Sequence, residues 1–271
     1  MMCTELLSMH RAGPRQARLR AVVTCCAALL CQCSSVDSGA PSEVLSHGRF
    51  ASVRVYRPAG AVRQVALLLS GDGGWSRDLG AIAYKLSGEG TLTAGIDLPP
   101  LFANLARDPA SCVSPDIDLA DLARYLQDRY HLAHTAPLLI GHSAGATLAY
   151  TSIAQAPAGT FSAALTLSFC VELELQKPLC RTPALRYQPL PSGAVRLLPG
   201  TTPAAPWTDL HGLDDPICTP LEALGFLAAI PGAHLVPLPH VTHNYGHAER
   251  WWPQFSAAQK SLTGARPAAA R

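Results

Sequence analysis

Charge is scarce in this 271-residue chain, and so are the motifs that charge builds. Charged residues make up 15% of it, with 21 Lys and Arg against 19 Asp and Glu, a net charge of +2. The body of the chain has no basic block with interleaved aromatics, which speaks against a nucleic-acid partner. The apolar run Ala21–Cys31 is too short for a membrane-crossing helix, which needs roughly 20 residues. No Cys-x-x-Cys pair marks a structural metal site, and no metal or cofactor is expected. The glycine-rich stretches lack both the Gly-Lys-Ser/Thr ending of a phosphate loop and the G-x-G-x-x-G spacing. No internal repeat is visible. What remains is a chain with 48% hydrophobic residues, suited to one large globular domain or at most two small ones.

The basic residues gather early. Arg11, Arg15, Arg18 and Arg20 precede the apolar run, and Ser34, Ser35, Ser38 and Ala40 follow it. A basic segment, a short apolar segment and small residues together read as a secretory signal over 1–33, with Met9 as an alternative start. Cys33 offers a lipid-attachment point, although Gln32 is bulky where a small residue is wanted. Residues 34–48 read as a linker, 49–263 as the domain and 264–271 as a disordered Ala/Pro tail.

Four of the nine cysteines lie beyond the signal: Cys112, Cys170, Cys180 and Cys218. An even number in an exported chain suits two disulfides. Cys170 with Cys180, across a short loop, is the preferred pair, leaving Cys112 with Cys218.

Strand-like and helix-like segments alternate along the domain. Phe50 to Arg57 alternates like an edge strand, and Val65 to Leu69 is wholly apolar, like a strand buried on both faces. Leu79 to Leu86 has helical spacing, Thr91 to Ile96 returns to strand, and Asp116 to Tyr130 is an amphipathic helix. Pro137 to Ile140 and Ala163 to Ser168 read as strands flanking a helix from Ala144 to Gln155. Residues 171–202 are rich in proline and turn residues, with a strand at Ala194 to Leu198. Ala204 to Leu210 and His234 to Leu238 read as the last strands, with a helix at Leu221 to Ala229 between them and another from about Glu249 to Leu262. Such alternation predicts a doubly wound, mostly parallel sheet with helices on both faces. No long cap insertion is evident. Only 98–116 and 171–202 are able to form a lid.

Four segments at strand ends carry chemistry. Gly141-His142-Ser143-Ala144-Gly145, between a strand and a helix, has the form of a nucleophile elbow with Ser143 as nucleophile. His142 reads as packing or hydrogen bonding within it. Ser70-Gly71-Asp72-Gly73-Gly74-Trp75 follows a buried strand, where a second oxyanion donor is wanted. Gly71 or Asp72 would supply that N–H beside the one from Ala144, and Trp75 reads as packing. His211-Gly212-Leu213-Asp214-Asp215 offers the carboxylate that holds a catalytic imidazole in one tautomer, Asp215 ahead of Asp214. Pro239-His240-Val241-Thr242-His243 offers the general base, His243 ahead of His240 and His247. The order oxyanion loop, Ser, Asp, His is that of an α/β-hydrolase, and it predicts a serine esterase working through an acyl-enzyme.

The Ser70-Gly71-Asp72-Gly73-Gly74-Trp75 string, together with the elbow and the late Asp and His, resembles the bacterial VirJ/AcvB family of exported virulence-associated proteins. The resemblance covers roughly residues 48–262. Thr242-His243 stands where that family has a double-His string, and Ala144 where many members carry a bulkier residue. The resemblance implies a periplasmic location and partners in type IV secretion. One branch of the family hydrolyses the aminoacyl ester of lysyl-phosphatidylglycerol. Carried over, it makes Ser143, Asp215 and His243 the triad and an aminoacylated phospholipid at the membrane surface the substrate. Asp72 would suit the cation. The competing expectations are a non-catalytic periplasmic binding or assembly factor on the same fold, and a thioesterase or peptidase.

Overall fold

The middle of the chain carries strands that are buried at almost every position, because their sheet is covered on both faces. The computed structural model describes residues 39–264. Its elements are β1 (Glu43–His47), β2 (Phe50–Tyr56), β3 (Gln64–Leu69), α1 (Arg77–Gly88), β4 (Thr91–Ile96), α2 (Leu98–Ala106), α3 (Pro115–Arg129), β5 (Leu138–His142), α4 (Ala144–Gln155) and β6 (Ala163–Leu167). There follow β7 (Glu172–Glu174), β8 (Arg186–Pro189), β9 (Ala194–Leu198), β10 (Trp207–Gly212), α5 (Pro220–Ala228), β11 (Ala233–Leu238) and α6 (Trp252–Gly264).

Eight strands form one sheet in the order β1-β2-β4-β3-β5-β6-β10-β11. The β1-β2 and β2-β4 pairings are antiparallel, and every pairing from β4 to β11 is parallel. Alternate residues of β3 divide between the faces. Val65, Leu67 and Leu69 join Leu122 of α3 and Leu148 of α4 on one side. Ala66 and Leu68 join Ile82 of α1 and Phe255 of α6 on the other. This is the predicted doubly wound α/β arrangement, with helices on both faces.

Several expectations need correction. The segment read as a linker ends in β1, whose residues Glu43 to Leu45 pair with Val53 to Val55 of β2. Residues 98–106 form a helix, because Asp97 sits at its N-cap and prolines suit the first turn, where the missing N–H has no helical partner to lose. Residues 171–202 fold into a small antiparallel sheet of order β7-β9-β8. Gly264 closes α6. The signal segment and the tail from 265 lie outside the described residues.

The cysteine pairing is also different. Cys112 joins Cys180, and Cys170 joins Cys218. Strand order decides this. β6 and β10 are neighbours, so Cys170, just after β6, meets Cys218, just after β10. The Cys112–Cys180 bridge spans 68 residues and ties the segment before α3 to the small-sheet region. Closing a loop of that length removes chain entropy worth about 4 kcal/mol from the unfolded state. Cys112→Ser with Cys180→Ser should lower the unfolding free energy by about that amount in urea titration, and a loss under about 1 kcal/mol would contradict this assignment of its role.

Candidate active site

The elbow is set by how closely two backbones approach. A Cβ on Gly141 would lie 2.1 Å from the carbonyl oxygen of Gly145, and one on Gly145 would lie 2.3 Å from that of Ser70. Only glycine at both positions lets β5, α4 and the end of β3 pack this tightly. The turn between them forces Ser143 to φ 56° and ψ −124°, a conformation that L residues rarely adopt. Ser143 N donates to the carbonyl of Leu167 at 3.0 Å, which fixes the turn against β6.

Ser143 Oγ lies 2.9 Å from Nε2 of His243, and Nδ1 of His243 lies 2.8 Å from Oδ2 of Asp215. All three residues are largely buried. Asp215 Oδ1 accepts the N–H groups of Ile217 at 2.8 Å and Cys218 at 3.0 Å. Its Oδ2 also accepts the Ser168 hydroxyl at 2.5 Å. Burial pushes the Asp215 carboxyl up, but the bonds from His243, Ser168 and the two backbone N–H groups outweigh it and hold the carboxyl at about 2. Behind the acid loop, His211 Nε2 donates to the Cys218 carbonyl at 2.8 Å, and its Nδ1 faces Asp209 Oδ2 at 2.7 Å in a fully buried pair.

The rival residues lie elsewhere. Asp214 and His240 are exposed and face each other at 3.7 Å, and His247 is exposed beside Glu249. His142 does more than pack. Its Nε2 is 2.7 Å from the backbone carbonyl of His243, so Nε2 carries the proton. Burial lowers the pKa of His142, which keeps the ring neutral beside His243. Sequence reasoning missed Ser168 altogether, because no local motif marks it. Its one signal is its place just beyond the strand beside the acid strand.

The Ser70 to Trp75 string has a structural account. Ser70 Oγ accepts the Leu98 N–H and donates to the Gly71 carbonyl, both at 3.0 Å. Trp75 N donates to Asp97 Oδ1 at 3.0 Å, and its ring fills the space that a side chain at Gly95 would need. The loop thereby reaches Ser143: a Cβ on Gly71 would sit 3.3 Å from Ser143 Cβ. Among the described residues, the Asp72 and Ala144 N–H groups donate to no protein acceptor. The Gly71 carbonyl accepts from Gly74 N, in a short bridge.

Gly71, Asp72, Ser143, Ala144 and His243 all line one cleft of about 1320 Å³. Its walls are the two segments read as able to form a lid: Pro99, Phe102 and Ala103 of α2 on one side, and residues 172–176 and 192–194 of the small-sheet region. Four carboxylates line it, from Asp72, Asp78, Glu172 and Glu174, with no lysine or arginine among the lining residues. Arg196 pairs with Glu172 at 2.6 Å. Asp215, Cys218 and His243 have the spacing of a metal set, but the Cys218 sulfur is in a disulfide and the other two bond to each other.

The depressed Asp215 carboxyl makes stability depend on pH. Its folded value lies below the ordinary 3.8, so its contribution is complete above about pH 4 and is lost as pH falls through about 2. That difference is worth about 2 kcal/mol. Asp215→Asn should cost at least about that much at neutral pH in denaturant titration. The gap from wild type should narrow as pH falls from 4 towards 2, and a gap independent of pH would contradict this.

No family model and no curated protein matches the chain. Solved structures do. Esterase 2 of Thermogutta terrifontis, phosphoramylated by tabun, is 15% identical, with 84% of this chain and 96% of that one covered and a TM-score of 0.54. A serine hydrolase without a lid from Xanthomonas campestris is 18% identical, covering 85% and 98%, with a TM-score of 0.52. An α/β hydrolase from the sediment metagenome of the Mar Chica lagoon is 14% identical, covering 81% and 98%, with a TM-score of 0.54. At these identities the likeness speaks of architecture, and with the sheet order above it gives the conclusion: the chain has the α/β-hydrolase fold.

Proposed function

We propose that the chain is an exported serine esterase. The observation that carries this is the unbroken relay from Ser143 Oγ through His243 to Asp215, set in a strained elbow at the floor of an open cleft. His243 Nε2 takes the serine proton as Oγ attacks the ester carbonyl carbon. Asp215 holds the Nδ1–H tautomer and stabilises the imidazolium. The free N–H groups of Ala144 and of Asp72 in the Gly71-Asp72 loop stabilise the oxyanion, each worth about a hundredfold or more in rate. The imidazolium then protonates the leaving alkoxide. Water activated by His243 attacks the acyl-enzyme, releases the acid and restores Ser143.

The cleft favours a cationic substrate. Its four carboxylates face no lysine or arginine in the lining, and only Glu172 is engaged by an arginine behind it. This suits the aminoacyl ester of lysyl-phosphatidylglycerol, the substrate implied by the resemblance to the VirJ/AcvB family. Two disulfides in the domain suit an oxidising compartment, as a periplasmic location requires. Among the described residues no helix is long and apolar enough to cross a membrane. With a phospholipid substrate, the cleft would be reached from the membrane surface.

A fluorophosphonate probe should label Ser143, with the adduct located by mass spectrometry, and Ser143→Ala should take no label. Well-folded wild-type protein that stays unlabelled would sink the esterase reading. In a separate comparison, Asp72→Asn with Glu174→Gln should lower the preference for a lysyl over a neutral acyl ester by about three- to tenfold, since each carboxylate is partly screened by water. An unchanged preference would remove the argument for a cationic acyl group.

A further inference from the structure

Ser168 directly follows β6 and takes φ 53°, in the left-handed region that residues other than glycine seldom occupy. Its N–H donates to the Leu210 carbonyl at 3.1 Å, so the turn is anchored to the neighbouring strand. The consequence is an aim. Ser168 Oγ lies 2.5 Å from Asp215 Oδ2, the same oxygen that receives the His243 Nδ1–H. The Tyr245 hydroxyl lies 3.2 Å from Ser168 Oγ and donates its own proton to the Leu210 carbonyl. That leaves the single Ser168 proton for the carboxylate. Ser168, Tyr245 and Asp215 are all buried, so no water competes for these bonds at low cost.

We propose that Ser168 is a positioning residue, a fourth member of the relay that fixes which face of Asp215 Oδ2 meets His243. The inference rests on the esterase reading. Without the hydroxyl, Oδ2 would keep one side-chain donor, His243, and the carboxylate would gain freedom to tilt about the two N–H groups that hold Oδ1. It would also draw the imidazole proton more strongly. An imidazole whose carboxylate partner tilts is out of line to accept the Ser143 proton. The other titratable groups around the relay are His142, 5.1 Å from His243 between ring centroids, Tyr245, and the buried Asp209–His211 pair. A change at Ser168 alone leaves each of them in place.

A role in turning the chain and a role in the relay make opposite predictions for one variant. Ser168→Gly adopts a positive φ without strain and lacks the hydroxyl. If Ser168 only turns the chain, Ser168→Gly should work as well as wild type. If it positions Asp215, kcat on a soluble neutral ester should fall about tenfold or more with KM within about twofold. Thermal unfolding should confirm a folded protein. Ser168→Ala should show the same loss. The His243 Nδ1 proton, read by NMR well downfield, gives a second measure that needs no turnover, and it should move in both variants. Wild-type protein without turnover, but with a proton that moves in the variants, would end the esterase reading and keep the relay contact. Unmoved kcat and proton resonance in Ser168→Gly would overturn the proposal.

Discussion

The close packing of three backbones, at Ser70, Gly141 and Gly145, is the constraint on which the site depends. Two missing Cβ atoms let the end of β3, the end of β5 and the start of α4 meet at distances no side chain permits. That contact has two effects at once. It twists Ser143 into its strained conformation, and it brings the glycine-rich loop after β3 alongside the same residue. Ser143 and the free N–H groups of Asp72 and Ala144 are therefore placed by one packing event. Strain of this kind persists only where the surroundings over-determine it. Here the surroundings are the fully buried strands of a parallel sheet.

The imidazole and the carboxylate arrive differently. Each sits in a loop after its own strand, and each is held by hydrogen bonds rather than by packed backbone. His243 is braced through its carbonyl by His142, and Asp215 through both oxygens by Ser168 and two backbone N–H groups. The cleft above them is walled by α2 and the small sheet, which belong to neither the elbow nor the relay. The relay is thus set by the main sheet, and the cleft walls by the segments inserted around it.

Much of this was legible in the chain because parallel strands and tight turns leave local marks. Val65 to Leu69 and the Gly141 to Gly145 elbow needed only neighbouring residues to be read. Chain order then singled out Asp215 and His243, though nothing local excluded Asp214 or His240. Those two differ from the chosen pair in being exposed, which is a tertiary fact. The cysteine pairing was misread because closeness in sequence was weighed above strand adjacency. The β1 strand was lost among Ser and Gly residues, since five residues give too short an alternation. The helix at 98–106 lies in a segment read only as able to form a lid, and its prolines fall in the first turn, which tolerates them. Ser168 left no mark, because its role exists only once β6 lies beside β10.

The Cys170–Cys218 bridge ties the loop that carries Ser168 to the loop that carries Asp215, and both lie outside the sheet. Opening it would slacken the rim of the site while leaving the eight-stranded sheet and its two apolar faces untouched. Local openings of this kind need far less free energy than global unfolding. Loss of the relay geometry and loss of the fold are then separate events in this protein. A reductant should loosen the contact between Ser168 and Asp215 at temperatures where circular dichroism still reports an intact fold.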